Sequence, residues 1–166
     1  MIISNKKNIF SILVFIILVL ILMISSNKNQ TPVAEQSTLW GRSELILNGK
    51  VFLVEIVDTF ILREKGLSGH KPILDNEGMF FVFDKPDNYG FWMKDMQFPI
   101  DIIWLNKDLK IIYIEKSVSP NTYPKVFYPN SQAVYVLEIN SGQSDVILAK
   151  IGDKMKIIKD KSYGVQ

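Results

Sequence analysis

Leu45-Ile46-Leu47-Asn48-Gly49-Lys50-Val51-Phe52-Leu53-Val54 reads as two strands joined by a two-residue turn. Asn-Gly is the pair that most readily accepts positive φ at both central positions of such a hairpin. The folded part of the chain therefore opens as β structure. Further strand-like runs follow at 79–83, 89–93, 100–105, 109–118, 133–139 and 154–158, most of them rich in β-branched and aromatic residues. Asn106-Lys107-Asp108 supplies a turn between two of these runs and predicts a second hairpin.

Two short helices interrupt the pattern. The first spans about 58–65, with Asp58 as N-cap, Gly66 at C′ and Leu67 at C″ packing back on Leu62. The second lies near 144–151, capped by Ser144 and stopped at Gly152, with Val146, Ile147 and Ile151 facing a sheet. These elements predict a mainly β fold, a compact β-sandwich or partly closed β-barrel with two short helices. Two connections, 68–78 and 119–132, exceed the usual few residues, and loops of that length are where binding residues tend to sit.

Upstream of the hairpin, residues 9–24 are apolar except for Ser11, a run of roughly 24 Å if helical. Lys6 and Lys7 precede it and only Lys28 soon follows. The positive-inside rule then keeps residues 1–8 in the cytoplasm and sends the rest across. The expected organisation is a transmembrane signal-anchor at 9–24, a polar linker at 25–40, a β-rich domain at 41–160 and a tail at 161–166. Met23-Ile24-Ser25-Ser26 matches a small-residue cleavage site poorly, so a retained anchor is the preferred reading, and cleavage would instead secrete the domain. The expected location is the cell membrane, single-pass, with the domain extracytoplasmic and the membrane as its first partner.

Composition removes several chemistries. The 166 residues include no Cys, so disulfides, thiolate metal sites and cysteine nucleophiles are absent. Setting aside Lys6, Lys7 and Lys28, which flank the leader, leaves 16 of the 19 basic residues against 17 acidic ones. A folded part so close to neutral lacks the electrostatic footprint of a nucleic-acid binder, and nucleic acid is not an expected partner. No cofactor motif stands in the sequence.

Six blocks fall in an order that resembles the domain of unknown function 192 family: Gly66-Leu67-Ser68-Gly69, Gly78-Met79-Phe80-Phe81, Phe91-Trp92-Met93-Lys94-Asp95-Met96, Pro99-Ile100-Asp101-Ile102, Tyr135-Val136-Leu137-Glu138 and Gly152-Asp153. The resemblance covers about 45–158, and the Trp-Met-Lys block followed by Pro-Ile-Asp is its most specific part. It implies a small β-rich domain, often behind a signal or anchor segment, and brings no accepted activity, cofactor or catalytic residue. The chain departs from the family's usual pattern at Ser68, where Met is common, and at Asp95-Met96, where Asn-Thr or Asn-Met is common.

The chemistry-bearing residues admit three readings. Trp92, Lys94 and Asp101, with Tyr123 and Tyr128 in a loop stiffened by Pro120, Pro124 and Pro129, suggest a contact face for an envelope ligand or protein, and hence a membrane-tethered binding or accessory module. Lys94 and Asp101 are expected within reach of each other across the bend that joins their strands. Asp101 and Glu138 are the candidates for a carboxylate acid and base, which would make the domain a hydrolase of envelope glycans. Their bland reading is structural, an ion pair or a hydrogen bond to a loop. His70, Met93 and Met96 are the weak candidates for a soft-metal site of the kind that carries Cu(I), against a loop histidine and gap-filling methionines as the plain alternative.

Overall fold

In the computed structural model, which describes residues 42–159, β1 (Arg42–Leu47) and β2 (Lys50–Val57) form the expected antiparallel hairpin. Asn48 and Gly49 have φ values of 46° and 84°, the left-handed pair demanded by a tight turn that follows the strands' twist. Asn48 also ties the turn to later sequence, its Nδ2 donating to the Ile147 carbonyl at 3.2 Å and to Asp153 Oδ2 at 2.6 Å.

From β2 the chain crosses through α1 (Phe60–Lys65) into β3 (Glu77–Asp87), which pairs parallel to β2 in the register Leu53↔Glu77 to Val57↔Phe81. A parallel pair cannot be closed by a tight turn, so the helix and the long connection at 66–76 supply the return. Thr59, not Asp58, is the N-cap of α1, its side chain accepting from the Leu62 N–H at 3.3 Å. Gly66 ends the helix at φ 48°, and its N–H donates to the Leu62 carbonyl at 2.9 Å.

After β4 (Phe91–Trp92), strands β5 (Ile100–Leu105) and β6 (Ile111–Val118) make the second hairpin, in which Asn106 Oδ1 accepts from the Asp108 and Lys110 N–H groups at 3.0 Å each. A 3₁₀ turn at Pro120–Thr122 and β7 (Val126–Phe127) lie within the stretch expected to be a loop. Then come β8 (Ala133–Asn140), α2 (Gln143–Val146) and β9 (Lys156–Lys159). Seven strands form one sheet in the order β6-β5-β8-β3-β2-β1-β9, and β4 pairs with β7 as a separate two-stranded ribbon.

The sheet is neither closed into a barrel nor half of a regular sandwich. Its two ends approach one another where the Ile111 N–H meets the Asp153 carbonyl at 2.9 Å and the Met155 N–H meets the Leu109 carbonyl at 2.9 Å. This contact amounts to a single bridge, Lys110↔Lys154, because Leu109 at φ 60° and the turn at Gly152 prevent a continuous ladder. Each face of the sheet instead carries its own core. Leu45, Leu47, Phe52, Val54, Phe80, Ile103 and Leu137 pack on one face. On the other, Met79, Phe81, Ile102, Trp104 and Val136 pack with Leu67, Met93 and Phe127.

The second helix differs from expectation. It is one turn long and begins after Gly142, while Ser144 lies inside it and turns its hydroxyl to Asp101. Only Ile147 of its three expected apolar contacts is buried; Val146 and Ile151 are 70% and 69% exposed. The helix is cut short because Leu148 adopts φ 53°, which turns the chain out of helical geometry. The expected anchor at 9–24, the linker at 25–40 and the tail at 161–166 lie outside the described residues. Among the described residues no helix is long and apolar enough to cross a membrane.

Candidate functional site

Strand β8 lies between β3 and β5, so its side chains alternate into both cores. Leu137 and Ile139 enter one core, while Val136 and Glu138 point to the other. Glu138 stands opposite Met79 of β3 and Ile102 of β5 on that face, an aliphatic and thioether setting with nothing to replace water. It is 4% exposed, and its Oε2 has no hydrogen-bond partner. Burial of the charged form pushes its pKa from 4.5 up to about 8. The backbone beneath is tightly packed: a Cβ at Gly78 would stand 2.6 Å from the Glu138 carbonyl oxygen, so β3 needs glycine there.

Above Glu138 lies a cavity of about 580 Å³. Its walls come from the end of α1 and the Gly66-Leu67-Ser68 turn, from Phe81 and Phe83 of β3, and from Phe91, Trp92 and Met96 around β4. The rings support one another, with Phe91 edge-on to Phe81 at 4.8 Å and to Trp104 at 5.8 Å, and Phe83 stacked on Tyr89 at 3.5 Å. Arg63 at the rim is held in place, donating to the Asp58 and Val82 carbonyls while its guanidinium sits 5.0 Å over the Phe83 ring. Backbone contacts fix the two loops to each other: Ser68 Oγ donates to the Lys94 carbonyl at 2.8 Å and the Gly69 N–H to the Asp95 carbonyl at 2.9 Å.

A family model for DUF192, described as "Uncharacterized ACR", matches residues 44–157. The chain belongs to the DUF192 family. Among solved structures it is similar to a protein of unknown function from Novosphingobium aromaticivorans, with 27% identity and a TM-score of 0.69 over 77% of this chain and 94% of that one. It is also similar to a protein from Sinorhizobium meliloti described as a candidate transcription regulator, with 26% identity and a TM-score of 0.64 over 70% of this chain and 92% of that one. No curated protein matches. Four of the six DUF192-like blocks meet at the cavity, contributing Gly66 to Ser68, Phe81, Phe91 with Trp92 and Met96, and Glu138. Asp95, where the DUF192 pattern usually has Asn, sits at φ 56°, a conformation that Asp and Asn both tolerate better than most residues.

The structure separates residues that the sequence grouped. Asp101 and Glu138 lie on opposite faces of the sheet, because Asp101 pairs with Ile139 while Glu138 pairs with Ile102. They therefore do not converge as an acid and base. Asp101 is fully buried, and Oδ1 accepts from the Ser117 and Gly142 N–H groups at 2.8 and 3.1 Å while Oδ2 accepts from the Ser144 N–H and hydroxyl at 2.9 and 2.7 Å. These four bonds stitch β5 to β6 and to the start of α2. Lys94 forms no ion pair with it and instead lies 5.8 Å over the Trp92 ring; Lys116–Asp145 is the ion pair found among the described residues.

Trp92, Lys94 and Tyr123 do come together, with the Trp92 and Tyr123 rings 5.9 Å apart. Tyr128 packs against Gly90, where a Cβ would come within 2.5 Å of its ring. Met93 is 1% exposed within the core of Phe98 and Ile100, a gap-filling position. Met96 lines the cavity, and His70 is half-buried in the loop, its N–H donating to the Leu67 carbonyl at 3.0 Å. Sequence reasoning missed Arg63, Phe81 and Phe83 as site residues. Their strand and helix patterns look like ordinary core and surface, and only the parallel crossover brings them over Glu138.

Proposed function

We propose that the chain is a membrane-tethered extracytoplasmic binding module that takes a small, largely apolar ligand into the cavity above Glu138. One observation carries this reading: an aromatic-walled space of about 580 Å³ is lined by Glu138, whose buried carboxyl has an oxygen, Oε2, without a hydrogen-bond partner. A cavity of this size suits a small organic molecule, and sites of that class combine apolar walls with a few placed polar groups. Leaving a buried acceptor unbonded costs about 1–3 kcal/mol, which a ligand's polar group would recover. The tether is supported by the apolar run at 9–24 and the lysines before it. Trp92, 45% exposed, lines the cavity, and the Tyr123 ring lies 5.9 Å from its own. The regulator description of the Sinorhizobium meliloti protein is not carried over, since residues 41–160 hold 15 basic residues against 16 acidic ones and so lack the net positive charge expected of a nucleic-acid binder.

The test uses N-phenyl-1-naphthylamine, an uncharged probe that fluoresces on entering apolar sites. Saturable binding at one site per chain is expected, weakened about tenfold or more by Trp92→Ala with Phe91→Ala. Unsaturable binding, or affinity indifferent to both substitutions, sinks the proposal.

A further inference from the structure

Resting on that reading of the cavity, we infer that its ligand is an organic monocation, a primary ammonium group joined to an apolar body, with Glu138 as the group that pairs with the ammonium.

Glu138 lines the cavity and forms no ion pair with any cation around it. Glu138 is flanked by Met79 and Ile102 on its face of the sheet, and its Oε2 is unbonded. The charged and titratable side chains around the same cavity are Arg63, Glu64, Lys65, Asp84, Lys85 and Tyr89. Arg63 is committed to two backbone carbonyls and to the Phe83 ring, and Glu64, Lys65, Asp84 and Lys85 are exposed. None of them forms an ion pair with Glu138.

The walls suit a cation. Aromatic ring faces attract ammonium and guanidinium groups, more strongly where water is excluded. Two rings of this wall already hold cations, Arg63 over Phe83 at 5.0 Å and Lys94 over Trp92 at 5.8 Å. Glutamate rather than an amide at this position points the same way. A glutamine could serve a neutral ligand as donor and acceptor, whereas only a carboxyl can become an anion when a cation arrives. Charge-assisted bonds of that kind are about twice as strong as neutral ones.

The exchange has a measurable proton balance. Burial holds the empty site's carboxyl as the neutral acid up to about pH 8. When the ammonium docks, the carboxyl O–H bond breaks, its proton passes to solvent, and the carboxylate accepts hydrogen bonds from the ammonium. One proton leaves per cation bound. A neutral ligand releases none.

Calorimetry on the purified 166-residue chain, in two buffers of different ionisation enthalpy, reads this directly. The probes are tryptamine and phenethylamine with their uncharged analogues tryptophol and 2-phenylethanol. The amines are expected to bind about tenfold or more tightly than the alcohols. Their binding should release close to one proton near pH 7 and progressively less as pH rises through about 8. Glu138→Gln should abolish both the preference and the proton release while still binding the alcohols. Alcohols that bind as tightly as amines, or no proton released by the unsubstituted chain, overturn the ammonium inference and leave the cavity reading standing. If amines, alcohols and N-phenyl-1-naphthylamine all fail to bind, both fall together.

Discussion

Two carboxyl groups in neighbouring strands show how differently one residue class can be buried. Asp101 spends both oxygens on four hydrogen bonds, so its charge is solvated by backbone N–H groups and a hydroxyl in place of water. Asp101→Asn puts an NH₂ group against donors and should cost about 2–4 kcal/mol in urea unfolding. A loss well under about 1 kcal/mol would mean that these bonds contribute little. Glu138 has no such shell and stays protonated in the folded chain up to about pH 8, whereas the unfolded chain releases the proton above 4.5. Between those values the folded state holds the extra proton, so each unit of rising pH lowers stability by about 1.4 kcal/mol. The contribution is complete below 4.5, is lost across the window and is flat above about 8. Glu138→Gln should therefore gain stability on the unsubstituted chain by several kcal/mol between pH 5 and 8. Unfolding midpoints measured along a pH series decide it, and parallel curves for the two chains would show that the carboxyl is paired or hydrated.

Among the elements, α1 and its two ends govern the shape of the cavity. The helix buries none of its six residues fully, so its position depends on its caps and on Leu62 and Leu67 packing beside Phe81. Gly66 is the hinge of that arrangement: at φ 48° and ψ −140° it occupies backbone space that residues with a Cβ rarely adopt, and a Cβ would also touch the Phe81 ring at 3.4 Å. Gly66→Ala should destabilise by about 1 kcal/mol or more in equilibrium unfolding. Retained stability would mean that the turn relaxes without strain. Much of this element was legible beforehand, because a glycine after a short helix, with Leu62 before it and Leu67 after it, is a capping pattern. The N-cap moved by one residue, from Asp58 to Thr59, since both side chains can accept a backbone N–H and only the chain's entry angle from β2 selects between them.

For the whole molecule, the proposal of an outward-facing domain has a direct check: protease added to intact spheroplasts should digest residues 41–160. Digestion only after lysis would reverse the topology. The sequence by itself determined the hairpin at Asn48-Gly49, the bounds of β5, the Gly66 stop and the family, because each rests on local backbone preference or on a linear order of motifs. It also singled out Asp101 and Glu138, as carboxylates at odds with the apolar runs around them. What it did not determine is which of the two is satisfied. Alternation assigns a residue to one face of its own strand, but the relation between two strands follows from their pairing register. The register Ile102↔Glu138 places the carboxyls on opposite sides. The parallel β2–β3 pair and the β4–β7 ribbon were likewise settled only in three dimensions, since such pairings bring together segments whose local patterns carry no mark of one another. The cavity above Glu138 arises from that long-range packing, where α1, β3 and β4 meet over a side chain that none of them adjoins in sequence.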